Sequence, residues 1–251
     1  MYNFFEARNW FERALKKELF KKSPQELYDP INYLLSLEAK RLRPALVLMA
    51  YNVFDDEIEK ALKPAIGIEL FHNFTLMHDD IMDNAPLRRG EMTVHEKFDT
   101  NAAIISGDAM MIYADRFVSS VEPDILLEVH DLFTQTAIEV CEGQQYDINF
   151  ESQENVTIPD YLKMITLKTA VLLGCSLKLG ALVGNANETQ ASALYDFGKN
   201  LGVSFQLKDD WLDVFGSREK VGKKVGGDIV QNKKTYMPVS YTHLTLPTNG
   251  C

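Results

Sequence analysis

Two short segments repeat one acidic pattern. "HDDIMD" supplies Asp79, Asp80 and Asp83, and "LKDDWLD" supplies Asp209, Asp210 and Asp213, each reading D-D-x-x-D. On a helix, residues four apart share a face and the next residue lies about 100° round, so each segment gathers two carboxylates with a third alongside. Such oxygens suit a hard cation, and Mg²⁺ is held by one or two carboxylates together with phosphate oxygens and water. Basic residues follow each cluster: Arg88 and Arg89 after the first, "GSREKVGKKVGGD" after the second. Cations and basic side chains together could neutralise a diphosphate. A single D-D-x-x-D reads as a solvated acidic helix end; two copies, each with a basic loop, favour the metal site.

The elements that position these residues read at helical period. From Asp56 to Asp83, apolar residues recur three and four apart (Ile58, Leu62, Ile66, Leu70, Phe74, Met77, Ile81), which predicts one long helix. Thr157, Pro159 and Asp160 open a second that runs to Gly184, and Asn187 with Gln190 caps a third that stops at Gly216. Earlier helices fit residues 3 to 22, 26 to 39, 44 to 54, 101 to 120 and 124 to 150, and no segment alternates like a strand. The expected fold is an all-α bundle, with loops at "NAPLRRGEMTVHEKFD" and "GSREKVGKKVGGD". Both acidic clusters fall at helix C-terminal ends, where the dipole and like-charge repulsion oppose them, so their placement points to function.

The 251 residues are 46% hydrophobic and 25% charged, enough for one large core. The net charge of -10 argues against nucleic acid, whose binding needs surplus basic residues. The apolar runs break before the roughly 20 residues of a membrane span, and the charged N-terminal segment does not read as a signal peptide. No transmembrane segment and a cytoplasmic location are expected. Cys141, Cys175 and Cys251 are too far apart to suggest a disulfide framework or a zinc site, and read as core thiols and one tail residue. "VHEKFD" lacks the second histidine of a zinc protease motif.

With these residues in order, the chain resembles the trans-prenyltransferases, the head-to-tail isoprenyl diphosphate synthases of the polyprenyl synthetase family. "HDDIMDNAPLRRG" and "FQLKDDWLD" look like that family's two aspartate-rich motifs, and the resemblance runs from about Leu37 to Thr235. It implies an isoprenoid-synthase-type helical bundle around a central cavity, working as a homodimer. It implies up to three Mg²⁺ ions bridging an allylic diphosphate, held by Asp79, Asp80 and Asp83 from one wall and by Asp209 and Asp213 from the other. Arg88, Lys168, Thr169, Gln206, Lys223 and Lys233 match the allylic-diphosphate contacts. "EAKRLRP" matches the family's G-K-R-x-R-P with Ala39 in place of glycine; Lys40 and Arg43, with His72 and Arg89, would then bind isopentenyl diphosphate. Without the resemblance, Lys40, Arg41 and Arg43 read as helix-dipole partners, and His72, His78 and His95 as hydrogen-bonded core residues. Gln144 and Asp147 match a family G-Q-x-x-D and are expected to orient their neighbours.

The implied reaction ionises an allylic diphosphate (dimethylallyl, geranyl or farnesyl), adds the cation to isopentenyl diphosphate and expels a proton, which the family assigns to the released pyrophosphate. Asp79, Asp80, Asp83, Arg88, Lys168, Asp209 and Lys223 carry the catalytic roles in this reading. Phe74 lies five residues before Asp79, about 7 to 8 Å down the helix, and Thr75 four before it; in the family, aromatics here form the floor that sets chain length. Phe74 alone implies a C15 or C20 product. A class I terpene cyclase would share the fold and first motif, but would carry an N-S-E type second motif and have no use for Lys40, Arg43 and Arg89. A non-catalytic partner subunit would be expected to have lost aspartates, and all six are present. Residues 1–236 are expected to form the synthase domain, C-terminally incomplete, and "MPVSYTHLTLPTNGC", 237–251, an unrelated tail.

Overall fold

The computed structural model describes residues 1–153, 155–215 and Val239. Its order is α1 (Phe4–Lys17), α2 (Gln25–Ser36), α3 (Leu42–Tyr51), α4 (Glu59–Met82), β1 (Leu87–Arg88), β2 (Glu91–Met92), α5 (Val94–Lys97), α6 (Thr100–Val118), α7 (Leu126–Ser152), α8 (Ile158–Ile165), a π-helical turn (Thr166–Ala170), α9 (Val171–Val183) and α10 (Glu188–Phe215). The all-α expectation holds. α4 begins three residues later than the pattern predicts, because the Asp55 carboxylate accepts from the Glu57 N–H at 2.9 Å and holds the preceding segment in a turn.

Two elements depart from the expected loop after the first acidic cluster. Leu87–Arg88 and Glu91–Met92 pair as a short antiparallel hairpin, and Val94–Lys97 forms one helical turn. Arg89 and Gly90 at its tip have φ of 56° and 84°, as a two-residue type I′ turn requires; glycine tolerates this readily, arginine at a cost. Period-2 pattern is unreadable over two residues, which is why the sequence reads as loop.

The chain divides into two compact units: Met1–Thr134 with Ser176–Leu194, and Gln135–Cys175 with Tyr195–Cys251. The first is built on α4 and α6, with Phe11, Leu34, Tyr51, Ile66, Leu70, Phe71 and Met110 buried. The core of the second joins Phe150, Val156, Tyr161, Met164, Ile165 and Val239. Ile158–Val183 forms one apolar helical stretch, long enough by length and composition to cross a membrane, contrary to the reading from separate runs; 72% of its most apolar window is buried in the protein. Cys175 is buried, its thiol pushed up to about 12 by desolvation, whereas Cys141 is exposed rather than in the core.

Candidate active site

In the first unit, α4 ends in a Schellman motif. Asn84 takes the left-handed conformation (φ 49°), its N–H donates to the Ile81 carbonyl at 3.2 Å, and the Ala85 N–H reaches the Asp80 carbonyl at 2.9 Å. This stop fixes Asp79 and Asp83 one turn apart at the helix end. It also aims the hairpin back at the helix: Thr93 Oγ1 donates to the Ala85 carbonyl at 2.7 Å, and Arg88 Nε lies 2.9 and 2.8 Å from the two Asp80 oxygens. Asp80 is only 2% exposed. Burial pushes its carboxyl above the ordinary range, and Arg88 opposes that shift.

The same unit gathers the predicted isopentenyl diphosphate residues around His72. Arg43 Nη1 lies 3.1 Å from His72 Nε2; a guanidinium only donates, so Nε2 accepts and the ring is neutral with its proton on Nδ1. Desolvation, then the fields of Arg43, Arg89, Arg88 and Arg41, hold His72 well below 6.5. Burial draws Arg43 down to about 10, which leaves it charged near neutral pH. Its Nε is buried and without a hydrogen-bond partner among the described residues. Buried donors are normally satisfied, so this orphan in a field of arginines marks a place for an anion. Lys40 is exposed at the entrance to α3.

Arg41, which the resemblance does not assign, anchors this cluster. It is 4% exposed, ion-paired with Glu69 at 2.6 Å and Glu12 at 3.1 Å, and donates to the Leu35 carbonyl at 2.5 Å. Its backbone is left-handed, φ 52°, the kind of strain that persists where surroundings enforce it. No sequence signal separates it from Lys40 and Arg43. Of the three histidines, His78 Nε2 meets the Ile104 carbonyl at 3.2 Å, hydrogen-bonded as expected but half-buried rather than in the core, and the buried His95 Nδ1 has no partner among the described residues. Thr75 Oγ1 donates to the His72 carbonyl at 2.8 Å.

In the second unit the π turn presents Lys168 and Thr169. Such turns often occur at functional sites. Gly143 of α7 lies so close that a Cβ there would come within 2.2 Å of the Lys168 amide nitrogen, and Asp147, one turn on, meets Lys168 Nζ at 2.5 Å. Thr169 Oγ1 lies 3.4 Å from Gln206 Oε1, and Gln206 Nε2 donates to Asp210 Oδ1 at 2.9 Å. Tyr161 donates its hydroxyl to the other Asp210 oxygen. Asp210 is 3% exposed, and Tyr161, invisible to the sequence except as a core residue, is one of its anchors. Asp209 is exposed at this end of α10, which also contains Asp213. Lys223, Lys233 and residues 237–251 apart from Val239 lie outside the described residues.

Among the described residues no three acidic or imidazole groups converge on one point. The donor set still fits Mg²⁺: it consists of hard carboxylate oxygens, and this ion takes most of its shell from phosphate and water.

The polyprenyl synthetase family model matches residues 24–248. A geranylgeranyl diphosphate synthase of Methanosarcina mazei is 40% identical over 219 residues, 86% of this chain and 68% of that protein. A short chain isoprenyl diphosphate synthase of Methanocaldococcus jannaschii is 40% identical over 215 residues, 85% of this chain and 65% of that protein. The chain thus spans about two thirds of the length of these curated relatives. A crystal structure of a geranylgeranyl pyrophosphate synthase superposes with a TM-score of 0.92 at 48% identity, over 95% of this chain and 73% of that one. Sequence, family model and fold agree, and the chain belongs to the polyprenyl synthetase family.

Proposed function

We propose that the chain is a Mg²⁺-dependent trans-prenyltransferase that condenses isopentenyl diphosphate head-to-tail with an allylic diphosphate. It releases pyrophosphate and gives a C15 to C20 all-trans prenyl diphosphate. Relatives named geranylgeranyl diphosphate synthase support the C20 end of that range. The observation that carries the two-diphosphate reading is the unpartnered, buried Arg43 Nε beside neutral His72 among Arg41, Arg88 and Arg89. A terpene cyclase has no use for this second anion pocket.

Lys40, Arg43, His72 and Arg89 bind isopentenyl diphosphate in this reading; a neutral imidazole accepts from Arg43 and leaves the guanidinium's other donors for the ligand. Lys168, fixed by Asp147, donates to the allylic diphosphate with Thr169, Gln206, Arg88, Lys223 and Lys233. Asp79 and Asp83, with Asp209 and Asp213, would hold the Mg²⁺ ions, up to three of them. Bound Mg²⁺ supplies the charge neutralisation that lets the allylic C–O bond ionise. Asp80 shares this task only by yielding its hold on Arg88, the residue beside it that also faces the leaving group. Lys168 and Arg88 stabilise the negative charge that grows on the departing pyrophosphate, and apolar walls must exclude the water that would quench the cation. We place the protein in the cytoplasm as a homodimer; Ile105 and Ile112, exposed one above the other on α6, offer apolar surface that a second copy would cover.

The test is incubation with Mg²⁺, labelled isopentenyl diphosphate and each allylic diphosphate in turn. Label is expected in chains of C15 to C20, and only with the metal present. Diphosphate release without incorporation of label would overturn the proposal.

A further inference from the structure

We infer that His78 is a positioning residue for product length, holding Phe74 in place through a lock between α4 and α6. The inference rests on the reading of Phe74 as the floor beneath the first aspartate cluster. Phe71, Phe74 and His78 form one row along α4. The Phe74 and His78 ring centroids are 4.8 Å apart, edge to face, and Phe71 flanks Phe74 on the other side at 5.8 Å. Phe71 is fully buried and packs edge-on against Phe133 of α7 at 5.4 Å. Phe74 itself is only partly buried, with these two rings flanking it.

One flank is anchored by the core and the other by α6. The Ile104 carbonyl can only accept, so His78 Nε2 donates to it across 3.2 Å, which fixes the ring's orientation and tautomer. Beneath the ring lies Gly107: a Cβ built there would fall 2.2 Å from His78 Nε2 and 2.6 Å from Cδ2. Only a residue without a side chain lets the imidazole settle this deeply onto α6. Edge-to-face aromatic contacts are directional, so a displaced imidazole takes Phe74's support with it. The position immediately before Asp79 therefore acts on specificity through its ring, while taking no part in the chemistry.

The experiment reads the ratio of product lengths made by the full 251-residue chain, a quantity independent of how much of a preparation is folded. Phe74→Ala is expected to lengthen the product. His78→Ala is expected to raise the share of longer chains several-fold, and Gly107→Ala, acting from the opposite helix, to shift it in the same direction. In a Phe74→Ala background, His78→Ala is expected to add nothing, because a residue that acts through Phe74 has nothing left to position. His78→Phe, which restores an aromatic ring against Phe74, is expected to return the distribution toward the parent. If Phe74→Ala leaves product length unchanged, the floor reading fails and the inference with it. If Phe74→Ala lengthens the product while His78→Ala does not, or the two effects add, the floor stands and the lock is overturned.

Discussion

The two D-D-x-x-D clusters have the same spelling but are held by different physics. In each, the middle aspartate turns inward: Asp80 is 2% exposed and Asp210 3%. Asp80 is met by a full charge, both oxygens accepting from Arg88. Asp210 is met by the neutral hydroxyl of Tyr161 and the neutral amide of Gln206. A carboxylate facing a guanidinium competes with anything else that needs that guanidinium. These two donors to Asp210 carry no charge, and the Lys168 ammonium is paired with Asp147. The first cluster thus couples its own integrity to Arg88, and the second couples its own to Gln206, which is also proposed to bind diphosphate, with Tyr161 as a brace outside that set.

Removing the guanidinium from Asp80 should be costly. Arg88→Leu leaves Asp80 buried without its counter-ion, and should cost about 3 to 5 kcal/mol of unfolding free energy. Adding Asp80→Asn should recover much of that loss, since the buried charge is then gone; denaturant unfolding of the single and double variants checks both values. Next comes Tyr161→Phe, which removes the hydroxyl that donates to Asp210 and should cost about 1 to 3 kcal/mol. If Tyr161→Phe proves as costly as Arg88→Leu, the distinction between an aspartate held through a guanidinium and one held through a hydroxyl is wrong.

Sequence made the fold class readable because long helices repeat their pattern over many turns: α4 and α10 are visible end to end apart from a few residues. The acidic clusters stood out because they break helix-end rules twice. The partners of the middle aspartates were not readable. Arg88 reaches Asp80 only because Asn84 ends α4 in a left-handed residue and a hairpin too short to show a period turns the chain back. Tyr161 sits 49 residues from Asp210, and as a core position on an amphipathic helix it gave no hint of a polar task. Arg41 was indistinguishable from its neighbours because burial, not residue type, makes it structural rather than ligand-binding.

A weaker dependence, on pH, follows from His72. His72 belongs to the unit that holds its aspartate by charge, and the surrounding arginines help keep it neutral well below 6.5. Below 6.5 the unfolded chain protonates this histidine while the native chain does not, so the unfolded state binds more protons. Stability must then rise with pH from the depressed native value up to 6.5 and gain nothing further from this residue above it. The slope contributed is at most about 1.4 kcal/mol per pH unit. His72→Gln keeps a side-chain acceptor for Arg43 but cannot titrate, so its stability should lose that slope relative to the parent. Denaturant midpoints of both proteins, compared on either side of pH 6.5, give the difference. Equal slopes would mean that His72 is not kept neutral by its arginines, and the cluster would then lack the concentrated positive field on which the second diphosphate pocket depends.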